Sequence, residues 1–410
     1  MSGPREILVV EPHIGGHTPY ILQLYGALAA VRPDYRPVWL TARPEVGNPY
    51  AAQIAQAEGV EMNLLYPPES EASWRPASAA GRLARRLSIL ARMEGNALRT
   101  YREVRRRRPA VVHFQSTNVL TDTPLVWLLR RSGLPLVQTI HNVVPHKRYL
   151  GRLDHLLEGS YYRAFDRLLV HSQANGRELR ARYPSIDEGS VAVVPHGNYC
   201  GQFDDPPGMA EARRRYGLPE GVPVALFFGV IRPDKGLDLL LDALALPPAA
   251  NLHLLIAGKP EGEGQGFQRE YQPRIDRLGL NARVHSVVRH IADEEVPAIF
   301  GACDLVVLPY RQVAMSGVLH LAYTFGKPVV ASNVGSMAEV IRSGETGYLV
   351  DSADPSGLAE AMGRVVGSAE ACEEMGRAAR RMADEFSWES VARRLTEVYD
   401  KVLMGRGAGV

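Results

Sequence analysis

A short segment of the chain combines two glycines with two cationic side chains. It reads FGVIRPDKG, from Phe228 to Gly236, and it follows an apolar run. Gly229 and Gly236 allow a ligand to approach the backbone closely, and Arg232 and Lys235 place positive charge that suits a diphosphate. A plain strand-to-helix turn with two solvated cations has the same composition. The segment alone therefore leaves both interpretations open.

A second anion site is predicted where a helical pattern begins after Ser316. The pattern reads GVLHLAYTF and ends at a Gly-Lys-Pro turn. Ser316 is a good N-cap, and the free amides of Gly317 and Val318 at a helix N-terminus attract phosphate. An ordinary capped helix between two strands is the alternative interpretation. The GKPVVAS that follows favours the phosphate site.

Histidines and a glycine pair follow predicted strands in the first half of the chain. They are Gly15 and Gly16 with His17, then His141, His171, and His196 with Gly197. A single histidine at a strand end is more often structural than catalytic. Ligands of parallel sheets, however, bind outside the carboxyl ends of the strands. The recurrence at four strand ends therefore predicts a site along one sheet edge.

These residues need two sheets to position them. Apolar runs alternate with helical patterns in both halves, which predicts two doubly wound parallel α/β domains. The predicted strands are Ile7–Val10, Val38–Leu40, Val111–Phe114, Leu136–Ile140, Arg167–Val170, Val191–Val194, Val224–Phe228, Leu252–Ile256, Val284–Ser286, Leu305–Leu308, Val329–Ala331 and Tyr348–Val350. Predicted helices include Tyr50–Glu58 and Tyr161–Ala164.

The predicted boundary lies in a turn-rich segment near residues 198–218. We place the first domain at residues 1–198 and the second at residues 199–387. A last helix, residues 388–405, carries apolar residues at helical spacing. They are Val391, Leu395, Val398, Tyr399 and Val402.

Composition excludes several classes of protein. The chain has 410 residues, 46% apolar and 22% charged, with a net charge of +2. The length and composition are typical of a two-domain globular protein. The small net charge gives no strong positive electrostatic field that would attract nucleic acid. Three separate cysteines favour a reducing compartment such as the cytoplasm. We expect no signal peptide and no stretch of ~20 apolar residues to cross a bilayer.

The order of these segments resembles the retaining glycosyltransferases of the GT-B fold, family 4. The resemblance covers nearly the whole chain and is most specific from Phe227 to Val350. It implies two Rossmann-like domains facing a central cleft, and the last helix crossing back onto the first domain. It also implies a sugar nucleotide donor, linked to UDP or GDP, and a sugar or lipid-linked acceptor, such as a polysaccharide or glycoconjugate intermediate. No metal or other cofactor is expected.

The resemblance assigns roles to particular residues. His141 is implied to lie beside the transferred sugar as the catalytic histidine, and Glu339 matches a family acid. The donor-binding set is Gly15, Gly16, Gly229, Arg232, Lys235, Ser316, Gly317, Val318 and Glu339, with His17, His196 and His320 as further candidates. Lys235 matches the family lysine. Val230 replaces the family arginine, and we favour Lys235 over Arg232.

Two glutamates that the family uses on the sugar and the ribose are replaced. Their positions, counted back from Gly326, are Val313 and Leu321, whose side chains accept no hydrogen bond. We expect these side chains to face the ligand. Three interpretations follow: another group, His320 or Glu339, holds the ribose; donor binding is altered, which we favour; or the chain is a non-catalytic subunit that partners an active enzyme. A sugar-nucleotide 2-epimerase fits the order of segments less well.

A basic segment suggests a further partner. Residues 82–108 hold ten arginines and two glutamates, with an apolar stripe at helical spacing. Such a helix can lie on an anionic membrane surface, which would make the protein peripheral at the inner face of the cell membrane. A solvated face of a domain helix is the alternative. Arg105–Arg108 could instead meet an anionic acceptor.

Overall fold

A computed structural model describes residues 3–15, 17–44, 48, 50–67, 78–116, 119–143, 152–261, 266–313 and 315–407. The chain divides into two compact units. Unit 1 comprises Met1–Pro195 and Trp388–Val410, and unit 2 comprises His196–Ser387. Each unit is built on one parallel sheet with helices on its faces.

Thirteen strands in the described residues form the two sheets. They are β1 Arg5–Val10, β2 Tyr35–Ala42, β3 Glu61–Tyr66, β4 Val111–Phe114, β5 Leu136–Thr139, β6 Arg167–Val170, β7 Val191–Val193, β8 Val224–Phe228, β9 His253–Ala257, β10 Val284–Val287, β11 Leu305–Leu308, β12 Val329–Ser332 and β13 Gly347–Val350. The order in unit 1 is β3-β2-β1-β4-β5-β6-β7, and in unit 2 it is β10-β9-β8-β11-β12-β13. All pairs are parallel, with registers such as Ile7 opposite Val111 and Val306 opposite Leu226.

Helices connect these strands. They are α1 Thr18–Val31, α2 Ala51–Ala55, α3 Ala79–Arg107, α4 Val119–Arg131, α5 Arg152–Tyr162, α6 Gln173–Arg182, α7 Met209–Arg215, α8 Leu237–Leu244, α9 Gly266–Glu270, α10 Gln272–Arg277, α11 Val296–Gly301, α12 Gly317–Thr324, α13 Met337–Val340, α14 Pro355–Val366, α15 Ala369–Glu385 and α16 Trp388–Gly407. Short 3₁₀ turns lie at Pro233–Lys235, Glu188–Ser190, Pro247–Ala249 and Asp293–Glu295.

The cores lie on both faces of each sheet. Central strands such as β1 and β11 are buried on both faces, as expected for parallel sheets covered by helices. The last helix, α16, belongs to unit 1 and packs beside α1. The five apolar residues predicted for its buried stripe are all buried there.

The strand order locates the functional edge of each sheet. It reverses between β1 and β4 in unit 1 and between β8 and β11 in unit 2. Ligands of such sheets bind in the crevice at this reversal, outside the strand carboxyl ends. The connections that leave β1, β4, β8 and β11 are therefore the ones to inspect.

The sequence prediction of two doubly wound parallel sheets is confirmed, with local differences. Strand β3 was missed because EMNLLY lacks clean alternation and lies at the sheet edge. Of the helix expected at Tyr161–Ala164, only Tyr161 and Tyr162 are helical, as the last residues of the longer α5. The helix expected at Tyr50–Glu58 is shorter, Ala51–Ala55 of α2.

Candidate functional site

In unit 2, the turn after β8 is fixed by a glycine that no other residue can replace without strain. Gly236 has φ +68°, and a Cβ placed on it would lie 1.9 Å from the carbonyl oxygen of Pro309. Pro309 follows β11, so Gly236 permits the connections after β8 and β11 to touch. We call residues Gly229–Gly236 the phosphate turn.

The two cations of the phosphate turn are not equivalent. Arg232 donates from Nε and a terminal nitrogen to the Asp234 carboxylate, at 2.9 and 2.8 Å. Lys235 instead places Nζ over the Tyr310 ring, 3.8 Å from its centroid. Burial lowers the pKa of Lys235 to about 8. Lys235 has no carboxylate within ion-pair distance in the described part of the chain, so it is the cation better placed to gain a diphosphate.

An arginine that sequence reasoning missed braces the phosphate turn. The Arg311 amide donates to Asp234 O at 2.8 Å, and its guanidinium donates to Pro233 O at 2.7 Å. The same guanidinium holds Asp238 with two hydrogen bonds of 2.8 and 2.6 Å. Arg311 therefore ties the connection after β11 to the one after β8. The signal available in the sequence was a basic residue three positions after the end of a buried strand.

The N-terminus of α12 lies beside the phosphate turn. Ser316 is 5% exposed and its side chain accepts the Leu319 amide, which is the N-cap predicted from the sequence. A Cβ on Gly229 would meet Val318 Cγ2 at 3.5 Å. The first amides of an α-helix have no partner within the helix. Gly229, Ser316, Gly317 and Val318 thus come together where an anion would be held.

Space at the start of α12 is limited by the partly buried Tyr199. A Cβ on Gly317 would lie 2.8 Å from the Tyr199 hydroxyl. Burial raises the pKa of Tyr199 to about 12, so its hydroxyl keeps its proton at neutral pH. Gly317 therefore lets the neutral hydroxyl reach the first turn of α12.

The other residues expected to touch the donor have different surroundings. His320 is 4% exposed and packs edge-on against Phe386, with ring centroids 4.9 Å apart, and stacks near His196 at 5.7 Å. Glu339 is exposed in the first turn of α13. His196 belongs to unit 2. It follows β7, the strand beside β6, by three residues, so its place at the same sheet edge as His141 and His171 stays a prediction.

Leu321 and Val313, the positions of the two replaced glutamates, both lie at the hydrophobic core of unit 2. The Leu321 side chain is 7% exposed and belongs to that core, and Val313 packs against it. Five consecutive residues of α12, Leu319 to Tyr323, are buried, so the burial does not single out one face of the helix. That Leu321 and Val313 face the ligand stays a prediction.

In unit 1, the connection after β1 holds a buried carboxylate that the sequence reading missed. Glu11 is 2% exposed, and its Oε1 accepts from the His13 amide at 3.3 Å and the Ser116 hydroxyl at 2.7 Å. Its Oε2 lies 3.3 Å from His17 Nδ1. A Cβ placed on Gly15 would have no described atom within 4 Å, apart from its chain neighbours. Gly16 lies outside the described residues.

Three histidine rings meet at this edge. His17 stacks on His141 with centroids 4.1 Å apart and an interplanar angle of 18°. His141 Nδ1 lies 3.1 Å from His171 Nε2, and His171 Nδ1 lies 3.0 Å from the Val194 carbonyl oxygen. The structure therefore brings His17, His141 and His171 together in unit 1.

Strand order explains why these groups meet. Glu11, Gln115, His141 and His171 follow β1, β4, β5 and β6, which are neighbours in that order. Gln115 Oε1 lies 3.2 Å from His141 Nε2. Glu11 and Gln115 could have been found from the sequence only if this strand order had been known.

A buried polar network lies below the three rings. His113 on β4 contacts the hydroxyls of Tyr25, Tyr399 and Thr139 at 2.7, 2.6 and 2.8 Å. Burial lowers the pKa of His113 to about 3, so it is neutral. Gln115 Nε2 donates to the Tyr25 hydroxyl at 2.7 Å, which joins this network to His141.

The basic segment is partly structural. Arg107 in α3 is 17% exposed and pairs with Glu6, Glu61 and Glu103, at 2.9, 3.2 and 2.6 Å. Arg106 also donates to Glu103 and, with Arg107, lowers the pKa of that carboxyl to about 2. Arg107 is therefore committed to the fold and is not available to an acceptor.

The described residues form neither a candidate metal site nor a candidate membrane-spanning helix. No three histidine, cysteine or acidic side chains there are grouped so that they could hold a metal ion. None of the helices in the described ranges combines the length and apolar character that crossing a bilayer requires.

The chain is similar to known glycosyltransferases in sequence and in fold. The model of the "Glycosyl transferases group 1" family matches residues 209–382, and that of "Glycosyltransferase Family 4" matches residues 14–198. HepE of Anabaena, solved in complex with UDP, has a TM-score of 0.73 and 18% identity over 97% of this chain and 100% of that one. At that identity the likeness shows the fold.

Curated relatives are closer in sequence. The D-inositol 3-phosphate glycosyltransferase of Streptomyces scabiei is 31% identical over 294 residues, which cover 67% of this chain and 64% of the relative. That of Streptomyces griseus is 30% identical over 331 residues, covering 72% and 68%. The chain thus matches just under two thirds of the first relative's length. These matches show that the chain belongs to the group 1 glycosyltransferases.

Proposed function

We propose that the protein transfers a sugar from a nucleoside diphosphate sugar, linked to UDP or GDP, with retention of anomeric configuration. One observation carries the proposal. Lys235 follows β8 and the N-terminus of α12 follows β11, and these are the two adjacent strands at which the strand order of the unit 2 sheet reverses. A diphosphate is the ligand that one ammonium group and several main-chain amides fit best.

The chemistry follows from where charge develops. As the bond between the sugar and the diphosphate breaks, negative charge grows on the departing phosphate. Fixed donors such as Lys235 and the amides of Gly317 and Val318 stabilise this charge without reorganising. Arg232 contributes less, because Asp234 already balances it. These groups supply the stabilisation that we assign to the protein, and no metal or other cofactor is part of the proposal.

Unit 1 supplies the acceptor side in this proposal. His141 lies in the row of polar groups that follows β1, β4, β5 and β6. We assign it contact with the transferred sugar, with Gly15 and His17 beside it. Phosphorylated inositol is the acceptor that the relatives' name indicates for them. For this chain we propose a sugar or lipid-linked acceptor in glycoconjugate or polysaccharide synthesis.

A nucleotide panel tests this function. UDP, GDP and ADP are titrated calorimetrically into the full chain, with UDP first because HepE was solved with it. The sugar derivatives of the nucleotides that bind are then supplied as donors. Release of the nucleoside diphosphate is measured both without and with an added acceptor. We expect one uridine or guanosine diphosphate to bind. If no nucleotide binds, the proposal fails, and the non-catalytic subunit, which the apolar Val313 and Leu321 keep as the second candidate, takes its place.

We further propose peripheral binding to an anionic membrane through α3 and α4. Three apolar side chains are exposed there: Leu98 of α3 by 48%, and Trp127 and Leu128 of α4 by 42% and 50%. Helix α4 packs against α3, whose sequence is rich in arginine. We expect cosedimentation with vesicles containing anionic lipid and none with zwitterionic vesicles. The double variant Trp127→Ser/Leu128→Ser should reduce the bound fraction severalfold, because apolar area and charge both contribute. If the same fraction of protein sediments with anionic and with zwitterionic vesicles, the proposed membrane-binding surface is ruled out.

A further inference from the structure

Glu11 is a buried carboxylate that no step of the proposed reaction uses, and it lies where the strand order of the unit 1 sheet reverses. It follows β1, and Ser116, whose hydroxyl donates to it, follows β4. Its main chain is fixed by β2, because the Glu11 amide donates to Leu40 O at 3.3 Å and Trp39 Nε1 donates to Glu11 O at 3.1 Å. The carboxylate therefore has a defined position at the crevice of the unit 1 sheet.

The contacts of the Glu11 side chain in the described residues are all with groups that can donate a hydrogen bond. Oε1 accepts from the His13 amide at 3.3 Å and from the Ser116 hydroxyl at 2.7 Å, and Oε2 lies 3.3 Å from His17 Nδ1. A main-chain N–H can only donate, and an ionised carboxylate can only accept. The hydrogen bond that one imidazole nitrogen makes sets where the ring proton lies. These contacts therefore fit an ionised Glu11 and a proton on His17 Nδ1.

The His17 ring is held by Glu11 and His141 and is open at Nε2. His17 is the N-cap residue of α1, but its side chain makes no capping hydrogen bond there. One face of the ring stacks on His141, with centroids 4.1 Å apart. Within the described part of the chain Nε2 has no hydrogen-bond partner, and the side chain is 41% exposed. A proton on Nδ1 leaves Nε2 of the neutral ring as a hydrogen-bond acceptor.

We propose that Glu11 is a positioning residue that holds His17 against His141 with its proton on Nδ1, so that Nε2 accepts a hydrogen bond from a hydroxyl of a bound sugar. The identity of this ligand rests on the proposed function of unit 1. Glu11 itself touches no substrate and acts only through His17. The position of the proton matters because the other tautomer would present an N–H at Nε2, which cannot accept the proton of a hydroxyl.

The Glu11→Gln variant reverses this arrangement while keeping the shape of the side chain. The His13 amide can only donate, so the amide oxygen of the glutamine takes the place of Oε1 and the NH₂ group faces His17 Nδ1. Because an NH₂ group can only donate, Nδ1 must accept, and the proton of the neutral ring moves to Nε2. Ser116→Ala is the matched control, since it removes a hydrogen bond from Oε1 and leaves the contact of Oε2 with His17.

The position of the ring proton is measured by NMR in the full-length protein labelled with ¹⁵N-histidine. Spectra at about pH 9 report neutral rings, because histidine ordinarily titrates near about 6.5, and the His17→Phe variant identifies the His17 signals. We expect the Nδ1–H form in the wild type and in Ser116→Ala, and the Nε2–H form in Glu11→Gln. A wild type in the Nε2–H form would overturn the inference, and so would an Nδ1–H form that persists in Glu11→Gln. If Glu11→Gln does not fold, the wild-type spectrum alone supports or overturns the position of the proton.

Turnover supplies a second readout, and this one depends on the proposed function. Glu11→Gln should lower kcat for sugar transfer about tenfold, because Nε2 of His17 then presents an N–H to the sugar hydroxyl. The calorimetric affinity for the free nucleoside diphosphate should be unchanged, since its proposed ligands lie in unit 2. In a His17→Phe background, Glu11→Gln should cause no further loss, whereas the losses of independent sites add. Additive losses, or an unchanged kcat in Glu11→Gln, would contradict the role of Glu11. A wild type that transfers no sugar would refute the proposed function, and the NMR measurement would still decide the position of the proton.

Discussion

The proposed role of Lys235 is inferred partly from the sequence and partly from the structure. Its place in the Asp-Lys-Gly turn is the reason that the sequence predicts it to be a phosphate ligand. The sequence does not show that Asp234 pairs with Arg232 or that the Lys235 ammonium lies over Tyr310. Those contacts leave Lys235 as a partly desolvated cation, and desolvation makes the ammonium easier to deprotonate.

This environment makes nucleotide binding depend on pH. Burial lowers the pKa of Lys235 from 10.5 to about 8, so the free protein loses this charge as the pH rises from about 7 to about 9. We expect the affinity for a nucleoside diphosphate to fall over that range. At neutral pH, Lys235→Ala should cost about 1.5–3 kcal/mol of binding, the usual value of a charge-assisted contact.

The matched control is Lys235→Met, which keeps the length of the side chain and cannot titrate. It should bind weakly with no loss of affinity across the same pH range. Isothermal calorimetry at several pH values provides the measurement. An affinity of the wild type that is flat between neutral and alkaline pH would show that Lys235 does not touch the diphosphate.

The same shift affects stability in the opposite direction. Between the folded pKa of about 8 and the unfolded value of 10.5, the unfolded chain binds this proton more tightly. The free energy of unfolding contributed by Lys235 therefore rises as the pH increases through that window. Rising pH therefore weakens nucleotide binding by removing the proton of Lys235, whereas it increases the free energy of unfolding.

At the scale of elements, the connections after β8 and β11 work as a pair. The sequence predicted the two strands and the N-cap of α12, because apolar runs and capping residues are local signals. It could not predict that Gly236 lies against Pro309, or that Arg311 reaches Pro233 and Asp238, since both contacts join segments more than 70 residues apart.

Arg311 should therefore control nucleotide affinity by holding the phosphate turn in place. In Arg311→Ala the bonds to Pro233 O and Asp238 are lost, and we expect the turn to become less ordered. Binding should weaken by about 1–2 kcal/mol, since each net hydrogen bond contributes about 1 kcal/mol. Calorimetry with the nucleotide identified by the panel gives the change.

A second exposed arginine in the same unit separates this effect from a change in net charge. Arg289 pairs with Glu295 on the surface of unit 2, and Arg289→Ala should leave the affinity unchanged. Amide exchange should speed up in the phosphate turn of Arg311→Ala and nowhere else in unit 2. Equal affinities of the two variants would mean that Arg311 braces a turn that does not bind the nucleotide.

At the scale of the whole molecule, the chain returns to its first unit after completing the second. The spacing of apolar residues in α16 was readable from the sequence, but the surface that it covers was not. Leu395, Tyr399 and Val391 join the core formed by β1, α1 and β2. Asp400 adds bonds to Arg5, Arg32 and Tyr35 on the surface of the same unit.

The structure therefore predicts that unit 1 depends on residues encoded at the opposite end of the chain. Leu395 is completely buried, so Leu395→Ala should destabilise unit 1 by about 2–5 kcal/mol through lost burial and the cavity left behind. The exposed neighbour Glu397 provides the control, because Glu397→Ala should change stability by less than about 0.5 kcal/mol. Hydrogen exchange followed by mass spectrometry should show faster exchange in β1, α1 and β2 of Leu395→Ala, while the strands of unit 2 keep their protection. If the loss of protection were confined to α16, the helix would be an accessory that unit 1 does not need, and the core would be complete without it.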